Sequence, residues 1–186
     1  MSTAQYKYRP INQSVDEIRV LNLRPGSFDD PISCDLTHHR LQHDSDYEAL
    51  SYCWGDPTPC RQISIGTASV MVTESAHCAL RHLRFKDRPR RIWIDAICIN
   101  QADTNEKNHQ VQQMARIYKG AWRVLAWLGP ARPGSNKAIG LVKAVVAKYD
   151  RDPSMKESIG EPIDVWQAVT ALAQLLERPY WNRTWI

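Results

Sequence analysis

"RIWIDAICINQADTNEKNHQVQQMARIYKGAWRVLAWLGP" runs from Arg91 to Pro130. Two short apolar runs of strand length flank a long polar stretch with helical spacing. Within that stretch Asp103 and Glu106 sit three apart, as in a capping box with Asp in place of Ser or Thr. Val111, Met114, Ala115, Tyr118 and Ala121 recur at spacings of three and four, which predicts one apolar stripe on a helix over about 104–119. Gly120 supplies its stop. Strand, helix, strand in that order predicts parallel strands of one sheet connected by a helix. The first run ends on a carboxylate, Asp95, followed by Asn100 and Gln101.

Outward from this unit the same alternation continues. Residues 17–23 (EIRVLNL) read as a strand ended by Pro25-Gly26, and 32–38 as its partner. YEALSYCWG, 47–55, reads as a buried strand. ISIGTASVMV, 63–72, reads as a hairpin turning near Gly66-Thr67. Residues 74–84 place Ala76, Ala79, Leu80 and Leu83 at helical spacing. IWIDAICI is a buried strand, or a strand and its exit. RVLAWL, 123–128, is the next strand, closed by Gly129-Pro130. Helices are predicted at about 136–149 and 163–177, separated by a polar loop. The fold class that follows is α/β: a doubly wound, mostly parallel sheet with extra N-terminal strands and a β-hairpin at one edge.

Composition fits a globular chain with a real core. Of 186 residues, 43% are apolar and 24% charged. Lys and Arg number 24 against 20 Asp and Glu. A net charge of +4 spread along the chain argues weakly for nucleic acid. The dense basic run, Arg84 to Arg91, reads better as a solvated loop before a strand. The first ten residues contain no apolar secretory core, and no apolar run reaches membrane-span length. Five cysteines without a C-x-x-C pair fit reduced thiols in the cytoplasm or nucleus. Cys78 and His82 share a helix face, but without further ligands they read as packing, and no metal site is expected.

In an open parallel sheet, ligands bind outside the carboxyl ends of the strands. YEALSYCWG delivers Ser51, Tyr52, Cys53, Trp54 and Gly55 to that edge, and RIWID delivers Asp95, with Asn100 and Gln101 in the exit loop. Of these, Ser51, Tyr52, Trp54, Gly55, Asp95, Asn100 and Gln101 are the candidate substrate-binding residues. The plainer alternative stands beside this. Asp95 then caps a helix or accepts loop N–H groups, Asn100 and Gln101 brace the loop, and Trp54, Trp93 and Trp127 fill the core.

YEALSYCWGD, WIDAICINQADTNEKNHQVQQMARIY, VLAWLGP and RPYWNRTWI resemble, in order and spacing, the signature blocks of the fungal heterokaryon-incompatibility (HET) domain family. Tyr47, Leu50, Trp93, Glu106, Gln110, Met114, Tyr118, Trp127, Gly129, Trp181, Arg183 and Trp185 fall on motif positions. The resemblance implies a cytoplasmic protein of fungal non-self recognition whose activation triggers programmed cell death. Its partners would be other incompatibility or signalling proteins, or further copies of itself. The family is distantly similar to Toll/interleukin-1 receptor (TIR) domains, with LSYCWG and WID matching the first two TIR strands. That relation implies a TIR-like or flavodoxin-like fold and NAD as substrate, cleaved at the nicotinamide–ribose bond by a glutamate shortly after a tryptophan. The family's block continues past its last tryptophan into Gln-Glu, whereas this sequence stops at Trp185-Ile186. The implied acid lies beyond Ile186, and neither Glu48 nor Glu106 takes its place. The reading is a tail over 1–14, then a HET domain over 15–186 truncated at its C-terminal end. Two functions follow from it: an NAD glycohydrolase, or a non-enzymatic assembly module with tryptophans as interface anchors. Nucleic-acid binding ranks last.

Overall fold

A computed structural model describes residues 4–41, 45–150 and 165–182. The expected loop after residue 150, the start of the last helix, and Arg183 and Trp185 lie outside the described residues. The chain divides by compactness into units 1–127 and 128–186.

The first unit carries seven strands and three helices. The strands are β1 (Glu17–Leu23), β2 (Ser33–Arg40), β3 (Ser45–Tyr52), β4 (Arg61–Ile65), β5 (Ala68–Val72), β6 (Arg90–Trp93) and β7 (Ala121–Trp127). The helices are α1 (Glu74–Leu83), α2 (Asp95–Cys98) and α3 (Thr104–Gly120). All strands join one sheet in the order β5-β4-β2-β1-β6-β3-β7. The half built from the expected unit is parallel: β3 pairs with β6 on one side and β7 on the other. β1 pairs antiparallel with β2 and β6, β4 and β5 form the hairpin, and β2 and β4 run parallel. The N-terminal strands and the hairpin therefore extend one edge, as expected. Gly66 has φ +58°, which a type II′ turn requires of its first central residue.

Side chains alternate across β3 and dock helices on both faces. Tyr47 points to α3, where its hydroxyl donates to the Ile117 carbonyl at 2.7 Å. Glu48 points to the opposite face and meets Arg90, whose Nη1 donates to the Leu83 carbonyl at the end of α1. The core between these layers holds Ile18, Leu21, Leu50, Ile92, Trp93 and Ile97, all fully buried. Trp93 meets Tyr118 edge to face at 5.7 Å.

Two expectations for α3 need correction. Helix α3 buries the stripe through Val111, Met114, Ala115, Tyr118 and Ala121 only in part, with Met114, Tyr118 and Ala121 half-buried against the core. Its buried seam is Glu106, Gln110, Gln113, Ile117 and Gly120, while Ala115 is exposed. The reason is polar matching. Glu106 meets Arg19, Gln110 donates to the Glu17 carbonyl at 3.1 Å, and Gln113 donates to Asp16 at 2.9 Å. The capping box is half formed. Asp103 accepts the Glu106 N–H at 3.0 Å, but the Glu106 carboxylate turns inward to Arg19. Strand β7 is half exposed despite its apolar run. It ends the order of described strands, leaving Trp122 59% and Val124 48% exposed.

The second unit is a helix pair, α4 (Ser135–Asp150) and α5 (Val165–Leu176). Ala138 packs with Ala171 and Leu175, flanked by Leu128 and Leu172. Gly134 has φ +85°, and a Cβ there would stand 3.1 Å from that of Ala171, so the close approach requires glycine. Arg178 ties the entry loop, donating to the carbonyls of Leu128, Gly129 and Pro130 and to the Ser135 hydroxyl. Another row of α5 is exposed, with Trp166 83% accessible beside Val169 and Leu176. No helix among the described residues is long and apolar enough to cross a membrane.

Candidate functional site

Strand β3 stops at Tyr52 and the chain turns through Cys53, Trp54 and Gly55, the last at φ +66°. In the parallel register Ala49 pairs with Trp93, which sets Ser51 level with Asp95. Strand β6 itself ends at Trp93, and Asp95 opens the one-turn helix α2 rather than finishing the strand. The Trp54 indole N–H lies 3.1 Å from both Asp95 oxygens, and Asp95 Oδ1 also accepts the Ala96 N–H at 2.7 Å. The carboxylate therefore fixes the indole. Gln101 donates to the Asp95 carbonyl at 2.9 Å. Asn100 accepts the Ala102 N–H through its side chain and donates its own N–H to Glu106 at 2.7 Å. These contacts make Asp95 a positioning residue for Trp54 and give Asn100 and Gln101 the loop-bracing role.

A groove of about 1210 Å³ opens at this edge, lined by Trp54, Ala96, Asn100 and Gln101. Its other walls are Pro57 and Pro59, the β5 segment Ser69–Val72, and an N-terminal arm, Gln5–Tyr8. The candidates thus divide. Trp54, Asn100 and Gln101 line the groove, and Asp95 stands behind Trp54. Ser51 and Tyr52 are buried in the sheet, and Gly55 shapes the turn. Of the motif residues, Tyr47, Leu50 and Trp93 are core, and Tyr118 donates to the Leu50 carbonyl at 3.0 Å. Trp127 packs on His82 at 4.9 Å, and the Trp181 indole donates to the Leu175 carbonyl at 2.8 Å.

The arm is the feature that the sequence reading missed. Residues 4–9, read as tail, pack on the domain. The Tyr6 N–H donates to the Ser69 carbonyl at 2.8 Å, and the Ser69 N–H donates to Ala4 at 2.9 Å. The Tyr8 hydroxyl donates to the Ile97 carbonyl at 2.9 Å. Burial raises the Tyr8 phenol far above its ordinary value, so it remains a donor. The signal was present in "QYKYRP", whose alternating tyrosines have strand periodicity.

No Asp, Glu, His or Cys belongs to the described lining, and Lys7 is its single charged side chain. The buried thiols of Cys34 and Cys98 are each pushed up to about 12 by burial, which makes them poor nucleophiles. The lining offers aromatic faces, prolines, amides and a strand edge, a surface for binding.

Removing the Asp95 carboxylate tests the positioning role. Asp95→Leu is expected to cost about 1–3 kcal/mol and to shift the Trp54 indole N–H resonance, whereas Asp95→Asn keeps an acceptor and most of the stability. Thermal melting and proton NMR read this. Equal stability of Asp95→Leu and the wild type would sink it.

The family described as "Heterokaryon incompatibility protein (HET)" matches residues 47–186. "Heterokaryon incompatibility protein 6, OR allele" of Neurospora crassa is 39% identical over 146 residues, covering 71% of this chain and 22% of the relative. The chain thus spans about a fifth of the length of that curated relative. No solved structure matches. The family match runs from the β3 tyrosine that anchors α3 through both helices of the second unit, and the chain belongs to the heterokaryon-incompatibility (HET) family.

Proposed function

We propose that this chain serves fungal heterokaryon incompatibility as a binding module in the cytoplasm, passing a non-self signal towards programmed cell death by holding a partner protein in the Trp54 groove. The observation that carries the reading is the groove's lining, with no described carboxylate, imidazole or thiol to move a proton. Aromatic anchors at a rigid strand end are the usual core of a protein-binding surface. The exposed row Trp166, Val169 and Leu176 on α5 supports self-association as a further mode of assembly. A second reading, TIR-like cleavage of NAD, is favoured by one feature. The indole fixed by Asp95 at the carboxyl edge of a parallel sheet offers a nucleobase a stacking face.

Expression of the chain in a fungal host separates the two. The binding reading expects growth arrest with cellular NAD unchanged, and loss of arrest in Trp54→Ala at equal protein level. A fall in NAD, with nicotinamide release, preceding arrest would overturn it in favour of the second reading. Arrest undiminished in Trp54→Ala would remove the groove from either.

A further inference from the structure

The strand edge beside the groove is half used. Among the described strands β5 ends the sheet. It pairs with β4 across a two-residue turn, Ile65 opposite Ala68, Ser64 opposite Ser69 and Gln62 opposite Met71. In such a hairpin the pair closing the turn exchanges hydrogen bonds, and the next pair does not. Ser69 and Met71 therefore turn their N–H and carbonyl groups away from β4. For Ser69 this is observed directly, because both of its backbone groups bond to the arm. Met71, two residues on and 50% exposed, offers the same pair of groups, and among the described residues nothing takes them.

The arm explains why. It runs parallel to β5 for one bridge, Gln5 opposite Ser69. To continue the ladder, the Tyr6 carbonyl and the Tyr8 N–H would have to meet Met71. Instead the chain leaves the edge. Tyr8 is drawn to the Ile97 carbonyl, and the Arg9 carbonyl accepts Arg19 Nη2 at 2.6 Å. An arm that only shielded the edge would pair along its length. This one forms two backbone bonds where the edge offers four.

We infer that the outer edge of β5 and the adjoining groove bind an extended peptide segment of a partner protein by parallel strand addition, in exchange for residues 4–6 of the arm. This rests on the binding reading above and names the partner's chemistry. The seated arm shows that the edge accepts an extended chain in the parallel sense. A free segment is not pulled aside by Tyr8, so it can use Met71 as well as Ser69. The partner segment must present N–H groups at the pairing positions, which excludes proline there. Apolar or aromatic side chains suit the prolines and tyrosines of the groove. With Lys7 as the single charge in the lining, the segment need carry little charge of its own.

The probe is the synthetic peptide TAQYKYRP, the chain's own residues 3–10 supplied in trans. It is added to the intact chain while amide hydrogen exchange is followed. In the free protein the Ser69 amide is expected to be protected and the Met71 amide to exchange quickly. Saturating peptide should slow exchange at Met71. Tyr6→Pro, which removes the arm's donor to Ser69, should tighten peptide binding. Met71→Pro should weaken binding about tenfold or more, since it deletes a bond at an edge where proline is otherwise tolerated. Two results would overturn the inference: no saturable binding to wild type or Tyr6→Pro up to about 1 mM, a dissociation constant beyond which strand addition contributes little affinity, or binding that leaves Met71 exchange unchanged. Neither alters the growth-arrest readout of Trp54→Ala, so failure of strand addition and failure of the binding reading remain distinguishable.

Discussion

Glu106→Ala is expected to destabilise the chain by about 3–5 kcal/mol, the range for removing one partner of a buried ion pair. Arg19 is 1% exposed and Glu106 3%. The guanidinium donates to both carboxylate oxygens, at 2.6 and 2.9 Å. Nη1 also donates to the Cys98 carbonyl at 3.1 Å and Nη2 to the Arg9 carbonyl at 2.6 Å, and the guanidinium lies 4.9 Å from the Tyr8 ring centre. Without Glu106 the charge stays buried with two carbonyls for company, and the Asn100 N–H loses its acceptor. For a chain of this length the melting midpoint should fall by roughly 6–20 °C. Arg19→Met combined with Glu106→Leu should recover most of that loss, because apolar groups of similar volume carry no desolvation penalty. A loss below about 1 kcal/mol in the single variant would show that water enters the site and screens the charge.

That pair also shows where the sequence could be read and where it could not. The elements were legible because their periods are clean. Glu17–Leu23 carries four apolar residues of strand type ended by Pro25-Gly26, Gly66-Thr67 marks a two-residue turn, and Gly129-Pro130 follows β7. That β3, β6 and β7 run parallel in one sheet followed from strand–helix alternation, but their order did not, because β3 lies between the two strands that α3 joins. The seam of α3 was not legible. Apolar spacing assumes that a buried face is apolar. This one is chosen by a cation 87 positions away in sequence, which no local pattern reports. The same limit applies to β7, because an apolar run does not announce that its strand stands at an edge.

The site was half legible. The chain direction of two parallel strands brought Trp54 and Asp95 to one edge, and they are hydrogen-bonded there. The division of labour between them was not legible, because indole and carboxylate could each have faced a ligand. What assigns the groove to Trp54 and the anchoring to Asp95 is the turn of Asp95 into α2, where its carboxylate is held by Ala96 as well as by the indole. The arm went unread for a different reason. Its single bridge to Ser69 and the reach of Tyr8 to Ile97 are long-range contacts from a segment with no apolar run of its own.

Glu48→Leu is expected to cost about 3 kcal/mol or more, and Glu48 should also shape the acid limb of stability. The carboxylate is 3% exposed in the middle of the parallel sheet, opposite Ile92 on β6 and Arg123 on β7. Arg90 donates to both of its oxygens and Arg123 to one. Arg90, whose side chain is 9% exposed, would be left as a buried cation, the costly outcome. Arg123 has a side chain 49% exposed, so Arg123→Ala should cost less than about 1 kcal/mol. Burial alone would raise the Glu48 carboxyl, but the hydrogen bonds from Arg90 and Arg123 outweigh it and hold it below its ordinary value. A carboxyl whose folded value lies below its unfolded one stabilises fully above the unfolded value, about 4.3 for glutamate. That stability is lost as pH falls through the folded value. Glu48→Gln keeps the shape and removes the titration, so it should melt lower than wild type near pH 7 and converge on it as the pH drops below about 4. Glu17 and Glu74 are held low as well, Glu17 by its His38 hydrogen bond acting against burial and Glu74 by its hydrogen bond from Arg61. Some acid sensitivity therefore remains in Glu48→Gln. Melting curves at several pH values decide the matter, and parallel acid limbs for wild type and Glu48→Gln would mean that Glu48 titrates alike in the folded and unfolded chains.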